Sequence, residues 1–294
     1  MTPEPGRNWG RWGSADERGA LNAITPESVV AALALAREGR VVSLGQVLDD
    51  ATPVPAGKLP PTHYMTRDGG DYAVDGRLLG RSRLSEDIVT LGTHAGTHID
   101  SLAHVWYGEQ LYNGFHQSTL RSRGASRCGV DKLGPIVARG VLLDVAAHLG
   151  VPGLPVEQAV SDVLLRECAE RQGVEVRAGD VVLVRTGWLE TAGEDPGRYV
   201  AGEPGLDVAA AAWLASLDVI AVGADNYAIE VLRDGSPGGF PVHELLIRDC
   251  GIPLIEGLVL SGLAAAGVPQ FSFVALPLTI RGATASPLNP VAIY

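Results

Sequence analysis

The chain has 294 residues, of which 46% are hydrophobic and 19% are charged. This balance is typical of a folded globular protein and excludes a disordered chain. The formal net charge of −11 disfavours nucleic acid and anionic membranes as partners, because both select basic surfaces. The three cysteines include no Cys-x-x-Cys pair, so we expect neither a disulfide framework nor a cysteine-rich zinc site.

The N-terminal residues lack a basic region followed by an apolar run, so we expect no signal peptide. No uninterrupted apolar segment reaches the roughly 20 residues that a membrane-spanning helix needs. We therefore expect a cytoplasmic protein that does not contact a membrane.

Residues 1–24 form an arm that is rich in glycine, proline and charge but carries Trp9 and Trp12. Such a segment is not expected to fold alone, so it should lie against its own domain or against a second subunit. A helix is predicted over residues 25–39, with Thr25 as its N-cap and Pro26 at its first position. A short strand follows at residues 41–44.

Residues 51–80 are predicted to form a loop, since prolines and Asp-Gly pairs recur within them. A loop of this length in a compact domain usually has a function, such as covering a pocket. His63 and Tyr64 lie in this segment and are candidate substrate contacts.

Apolar periodicity indicates strands and helices in the remainder of the chain. Strands and helices alternate after residue 140, whereas strands follow one another earlier. We therefore predict a single α/β domain over residues 1–294, with no linker and no internal repeat. The predicted strands cover residues 87–91, 141–145, 181–185, 219–222 and 271–276, and the predicted helices cover residues 161–172, 207–217 and 242–249.

Three of the seven histidines fall between Thr93 and His104, with Asp100 between the second and the third. Imidazole and carboxylate groups are ligands that zinc, manganese and iron accept. Two histidines and one carboxylate leave coordination positions open for water and substrate, as catalytic metal sites do. The alternative, a loop of ordinary polar residues, is disfavoured by this density of ligands in a histidine-poor chain.

The spacing of His94 and His98 requires a bend. In a straight strand their Cα atoms would be about 13 Å apart at ~3.3 Å per residue, too far for both to bind one ion. A helix is disfavoured by Gly96 and by the β-branched residues around it. Gly96 can supply the bend, and beyond it His98 and Asp100 share one face at strand spacing.

Further ligands must come from elsewhere in the fold. His243 begins the last predicted helix, and Glu256 lies in an apolar stretch, where a carboxylate is costly to bury unless it is paired or binds a metal. Asp225 follows a predicted strand and could position substrate or a ligand. His116 is a further candidate, whereas His148 fits an ordinary helix or turn residue.

The pattern His-x-Gly-Thr-His-x-Asp-x-x-x-His, here His94 to His104, resembles the family of metal-dependent hydrolases known as cyclases. That family includes bacterial kynurenine formamidase and isatin hydrolase. The resemblance extends over nearly the whole chain and includes residues 9–22, 179–188 and 282–287 as well as the His243 and Glu256 pair. Leu102 departs from the proline of the smaller formamidase-type members, which argues against kynurenine formamidase more than against the family.

The resemblance implies a swivelling β/β/α fold, with a mixed sheet or barrel-like core flanked by helices, assembled as a homodimer or homotetramer. It also implies that zinc or manganese is bound. His94, His98 and Asp100 then match the ligands of a first metal, and His243 and Glu256 complete the site or hold a second ion. His104 matches the acid/base, and Glu256 is assigned to catalysis as well.

The resemblance thus implies a hydrolase that uses a metal-bound hydroxide on an amide, cyclic amide or ester bond of a small molecule, with lactones as further substrates. The alternative is a metal-dependent cyclase or lyase that abstracts a proton, and a non-catalytic metal-binding protein also stays open. No Gly-x-Ser-x-Gly or Gly-x-Gly-x-x-Gly motif supports a serine hydrolase or a dinucleotide enzyme. Aromatic residues such as Trp188 and Tyr227 could line the substrate pocket or could equally pack in the core.

Overall fold

The computed structural model describes residues 7–55, 57–74, 82–192, 195–233 and 239–294. The described strands are β1 Val41–Ser43, β2 Thr62–Arg67, β3 Glu86–Thr90, β4 His98–Asp100, β5 Leu120–Arg121, β6 Gly124–Ala125, β7 Ile136–Asp144, β8 Ala159–Val160, β9 Val181–Arg185, β10 Gly205–Leu206, β11 Ala221–Ala224, β12 Leu254–Glu256, β13 Gln270–Ala275, β14 Ala285–Pro287 and β15 Val291–Ile293.

The described α-helices are α1 Pro26–Leu33, α2 Asp71–Val74, α3 Val145–Leu149, α4 Asp162–Gln172, α5 Trp188–Ala192, α6 Pro196–Ala201, α7 Val208–Ser216, α8 Pro241–His243 and α9 Ser261–Ala265. A π-helix, Glu244–Asp249, continues directly from α8. Short 3₁₀-helices cover Gly19–Ala23, Tyr112–Gly114, Gln117–Thr119 and Val130–Lys132. No described helix is long and apolar enough to cross a membrane.

Nine of the described strands form one curled mixed sheet in the order β1-β15-β13-β7-β9-β11-β12-β4-β14. The central strands β7, β9, β11 and β12 run parallel, and the flanking pairs are antiparallel. The central strands are buried along most of their length, because helices cover a parallel sheet and leave its strands little contact with water. The prediction of a single α/β domain with a mixed, barrel-like sheet is confirmed.

The elements after residue 140 match the prediction to within a few residues, and the differences have local causes. The strand predicted at residues 141–145 is longer and begins at Ile136, because β7 pairs with β13 from that residue onward. The strand predicted at residues 219–222 is shifted to Ala221–Ala224. The predicted helix at residues 242–249 is instead the short helix α8 followed by the π-helix.

Two predictions in the first third of the chain were wrong. The helix predicted over residues 25–39 ends at Leu33, and the backbone N–H groups of Glu38 and Arg40 instead donate to the carbonyl of Tyr294. The predicted loop at residues 51–80 contains strand β2 and helix α2, and β2 pairs with β3 in a separate two-stranded sheet. Residues 75–80 of that predicted loop, and residue 56, lie outside the described part.

The N-terminal arm lies against its own domain over the residues that the structure describes. The Asn8 side chain donates to the Cys250 carbonyl at 2.9 Å, and Trp9 Nε1 donates to the Arg248 carbonyl at 2.9 Å. Trp9 and Trp12 are partly buried against the main hydrophobic core. Residues 1–6 of the predicted arm lie outside the described part.

Candidate metal centre

The centre is built on two neighbouring antiparallel strands. His98 on β4 lies directly opposite Glu256 on β12, and Asp100 follows two residues later on the same face of β4. His98, Asp100 and Glu256 are all buried, with exposed fractions of 3%, 0% and 5%. Register between the two strands therefore places two carboxylates and one imidazole next to each other.

The bend before β4 returns His94 to this group. Gly96 has φ of +60°, a conformation that glycine adopts without strain, and a Cβ atom there would lie 2.3 Å from the Leu48 side chain. As a result, Nδ1 of His94 lies 2.8 Å from Oδ1 of Asp100. The predicted role of Gly96 as the hinge of the histidine segment is confirmed.

His243 and His104 complete the cluster from two other directions. Nε2 of His243, at the junction of α8 and the π-helix, lies 3.1 Å from Oε1 of Glu256 and 3.8 Å from Oδ2 of Asp100. Nε2 of His104 lies 3.7 Å from Oδ2 of Asp100, and its ring centroid is 4.1 Å from that of His94. All six residues that were predicted to hold metal or to act in catalysis at this centre thus come together.

The donor atoms form two overlapping groups, each with all atoms within 4.8 Å of one another. One group contains His94, Asp100 and His104, and the other contains His98, Asp100 and Glu256. Asp100 belongs to both groups. This grouping differs from the one that the resemblance implied, because His104 lies beside Asp100 rather than apart from the ligands.

The hydrogen bonding of these buried atoms is incomplete without a cation. Nε2 of His98 and both carboxylate oxygens of Asp100 are buried, and no described residue meets them with hydrogen-bond geometry, although Nδ1 of His94 lies 2.8 Å from Oδ1 of Asp100. Nε2 of His98 lies 3.1 Å from Oε2 of Glu256, yet without hydrogen-bond geometry. Buried polar atoms are normally paired, and a divalent cation would satisfy these three at once. The residues therefore fit a metal ion.

Hydrogen bonds at Nδ1 direct Nε2 of two histidines into the cluster. Nδ1 of His98 lies 2.9 Å from the Gly96 carbonyl, and Nδ1 of His243 lies 2.6 Å from Oε1 of Glu230. An acceptor at Nδ1 keeps the proton there and leaves the Nε2 lone pair for a metal. On the opposite side, Nε2 of His94 lies 3.1 Å from the Thr284 hydroxyl, which leaves its Nδ1 facing Asp100.

The charges of the cluster shift the pKa values of its members strongly. Burial alone would lower the pKa of His243, but hydrogen bonds to Glu230 and Glu256 raise it to about 10. Burial alone would raise the pKa of Asp100, but the surrounding histidines hold it well below its usual range. Burial, offset only in part by Asp100, lowers the pKa of His104 to about 4, so this imidazole is neutral at pH 7.

Two spaces adjoin the centre and share two lining residues. A small pocket reaches His98 and has His94 and Lys58 in its wall, together with Tyr199 and Tyr227. A cavity of about 430 Å³ shares His94 and Lys58 with that pocket and is otherwise lined mainly by apolar residues and threonines of residues 54–62 and 90–95. The segment that was predicted to cover a pocket therefore forms one wall of the space next to the metal centre.

The four predicted substrate contacts lie elsewhere. His63 and Tyr64 are exposed on β2, where Nε2 of His63 pairs with Asp87 at 2.8 Å. Trp188 is fully buried and its indole N–H donates to the Tyr199 carbonyl at 3.1 Å. None of these residues is among those that line the two spaces, and their contact with substrate stays a prediction.

The Asp225 side chain is engaged in hydrogen bonds that support the fold. Its buried carboxylate accepts hydrogen bonds from the backbone N–H groups of Thr186 and Gly187, at 2.8 and 2.7 Å, and from the Thr186 hydroxyl at 2.6 Å. Burial nevertheless raises the pKa of Asp225 to about 6, because these hydrogen bonds offset the loss of hydration only in part. In this arrangement the carboxylate holds the turn after β9 and faces no open space described above.

Glu230 and Thr284 contact metal-ligating candidates but were not identified from the sequence. Glu230 lies in an irregular segment, so no periodicity marked its side chain as buried. Thr284 lies in the C-terminal segment that supports the family resemblance, and this was the one signal that could have indicated it.

The fold and the centre define an α/β protein with a buried histidine–carboxylate site for a divalent cation, open to a mainly apolar cavity. Residues 42–231 match the family described as "Putative cyclase", and the chain belongs to that family. A crystal structure described as a novel cyclase is 34% identical, with a TM-score of 0.92 over 99% of this chain and 100% of that chain.

An isatin hydrolase from Roseibium aggregatum is 26% identical over 288 residues, which cover 93% of this chain and 98% of the relative. A crystal structure of an isatin hydrolase bound to the product analogue thioisatinate is 22% identical and shares the fold, with a TM-score of 0.66 over 92% of this chain and 99% of that chain. Family membership and the isatin hydrolase relative support a metal-dependent, hydrolase-like function.

Proposed function

We propose that this protein is a metal-dependent hydrolase that cleaves an amide, cyclic amide or ester bond of a small molecule, as its isatin hydrolase relative is named for doing. The observation that carries the proposal is the set of buried donor atoms on His98 and Asp100 that no described residue meets with hydrogen-bond geometry. His94, whose Nδ1 lies 2.8 Å from Asp100, lines a cavity of about 430 Å³, and this volume is in the range of small-molecule sites.

We propose that zinc or manganese is held by His94, His98 and Asp100, with His243 and Glu256 completing the site or holding a second ion. Imidazole and carboxylate donors suit both metals. When bound, a divalent cation would lower the pKa of a coordinated water molecule toward 7 and polarise the carbonyl group that is attacked.

His104 is proposed as the acid/base. Its ring is neutral at pH 7, because burial lowers its pKa to about 4, so it can accept a proton through Nε2 at the start of the reaction. The protonated ring would then be stabilised by Asp100, whose Oδ2 lies 3.7 Å away, until the proton passes to the leaving nitrogen or oxygen. Glu256 is proposed to take part in catalysis as well, since its Oε2 lies 3.1 Å from Nε2 of His98 and its Oε1 lies 3.1 Å from Nε2 of His243.

We also propose that the protein works in the cytoplasm as a homodimer or homotetramer. The β2–β3 hairpin supports a second copy of the chain as partner, because it pairs with no other strand of the described chain and exposes Tyr64, Met65, Ile88 and Val89. A lone two-stranded hairpin is marginally stable in water. Light scattering on purified protein measures the mass, and a strictly monomeric protein would contradict this proposal.

The function is tested with protein stripped by a chelator and reloaded with zinc or manganese. Isatin, an aryl formamide and an aromatic lactone are offered as substrates, and opening of the ring or loss of formate is followed by absorbance. We expect turnover of at least one substrate by the loaded protein alone. Stoichiometric metal without any hydrolysis would favour the cyclase or lyase alternative, and no metal affinity would overturn the proposal.

A further inference from the structure

Two tyrosines lie in the small pocket beside the metal centre. Tyr199 and Tyr227 line this pocket together with His94 and His98, and their ring centroids are 6.2 Å apart. A phenol in such a position can contact a substrate whose carbonyl group lies next to the metal ligands. The two hydroxyl groups differ in whether they are free to do so.

The Tyr199 hydroxyl is already engaged. It donates to the backbone carbonyl of Asp225 at 3.1 Å, and the residue is 2% exposed. Tyr227 is only half-buried, and its hydroxyl makes no hydrogen bond with any residue that the structure describes. Of the two phenols in the pocket, Tyr227 is therefore the one with a donor available to a ligand.

The backbone at Tyr227 is held rigidly. Both carboxylate oxygens of the fully buried Glu203 accept backbone hydrogen bonds, from Tyr227 at 2.8 Å and from Ala228 at 2.9 Å. The Asn226 side chain donates to the Pro204 carbonyl at 2.7 Å and accepts from the backbone N–H of Ile229 at 3.0 Å. A backbone held in this way limits where the Tyr227 side chain can place its hydroxyl, and a donor placed in advance needs little reorganisation during a reaction.

The segment that carries Asn226 and Tyr227 is hydrogen-bonded to the end of strand β12, which carries Glu256. The backbone N–H of Gly257, the residue after Glu256, donates to the Asn226 carbonyl at 2.8 Å. The position of Tyr227 is thus set relative to a metal-ligating candidate by one short backbone contact. Burial, with the charges of Glu203 and Glu256, raises the pKa of Tyr227 to about 12, so its hydroxyl keeps its proton at neutral pH.

We propose that Tyr227 is a catalytic residue whose hydroxyl donates a hydrogen bond to the carbonyl oxygen of the substrate and strengthens it as negative charge develops there. This inference rests on the proposed function, since it needs an acyl group that is attacked. Tyr227 would then donate to the carbonyl oxygen that a bound cation would polarise.

The test compares Tyr227→Phe with Tyr199→Phe, since each change removes one hydroxyl from the same pocket. For Tyr227→Phe we expect kcat to fall roughly 100-fold or more with KM changed less than threefold, because a transition-state donor is lost. Metal content and Tm should match the wild type. For Tyr199→Phe we expect a lower Tm, because the hydrogen bond to the Asp225 carbonyl is lost, and a fall in kcat that is smaller than that of Tyr227→Phe.

Calorimetric titration with thioisatinate gives a readout apart from turnover, with about tenfold weaker binding expected for Tyr227→Phe and a smaller loss expected for Tyr199→Phe. If Tyr227→Phe and the wild type have equal kcat and equal binding, the role of Tyr227 is overturned, whereas the proposed function is not. Loss of metal from Tyr227→Phe would also overturn it, since the residue would then act on assembly of the site. A metal-loaded wild type that neither hydrolyses the panel nor binds thioisatinate would overturn the proposed function and this inference together.

Discussion

Nδ1 of His243 lies 2.6 Å from Oε1 of Glu230, and both side chains are buried. The same carboxylate oxygen accepts the backbone N–H of His243 at 3.1 Å, so it holds this residue by main chain and side chain together. The contact fixes the ring with Nε2 directed toward Glu256 and Asp100. Carboxylates in this position behind a metal-ligating imidazole orient the ring and make it more basic.

Glu230→Gln should therefore weaken metal binding by roughly 10- to 100-fold, the usual effect of removing such a partner. The measurement is the dissociation constant for zinc or manganese, obtained by competition with a chelator. Glu244→Gln is the matched control, because Glu244 follows His243 directly in the chain but is only half-buried. Equal affinities for both variants would show that the Glu230 contact does not serve the metal.

The roles within the histidine segment can be separated by metal content. His98→Ala should lose both metal and activity, and so should His94→Ala, since each removes a donor that faces Asp100. His104→Ala should keep its metal and lose turnover by roughly 10²- to 10⁴-fold, the range for an acid/base. Elemental analysis after gel filtration decides the point, and an empty site in His104→Ala would make His104 a ligand instead.

Gly96→Ala should destabilise the protein more than the same substitution at another glycine with a similar positive φ. An alanine at φ of +60° costs about 1–2 kcal/mol, and its Cβ would in addition lie 2.3 Å from Leu48. Gly267→Ala is the control, since Gly267 has φ of +66° but open space around it. Urea unfolding should show a larger loss for Gly96→Ala, by about 1–3 kcal/mol, accompanied by weaker metal binding that Gly267→Ala lacks.

The buried Arg248 should contribute more to the free energy of unfolding than an exposed arginine in a similar contact. Its guanidinium lies 4.3 Å from the Trp9 ring centroid and 4.0 Å from that of Tyr107, and it also pairs with Asp249. Arg248→Met should cost about 3 kcal/mol, because the fully buried guanidinium is removed and with it the pairing of Asp249 and the contacts with Trp9 and Tyr107.

Arg166→Met provides the comparison for Arg248, since Arg166 stacks on Trp213 at 4.9 Å but is 56% exposed. That change should cost less than about 1 kcal/mol. Both values come from urea unfolding of metal-loaded protein, and equal costs would show that burial does not set the strength of the Arg248 contacts.

The local features of this protein were predictable because they depend on neighbours in the chain. The strands β7, β9 and β13 are apolar runs, and the bend at Gly96 follows from the spacing of His94 and His98. The pattern from His94 to His104 indicated a metal centre because its ligands are close in sequence. The pairing of β2 with β3 was missed, since prolines and turn residues hide a hairpin whose strands are stabilised by each other.

The sequence by itself thus determined the α/β class, the metal-binding segment and the need for distant ligands such as His243 and Glu256. Only the tertiary structure decided that Asp100 is shared by two groups of donors, that Glu230 orients His243, and that Tyr227 rather than Tyr199 has a hydroxyl available. These are contacts between segments far apart in the chain. Their geometry depends on strand register and loop packing, which no local pattern of residues encodes.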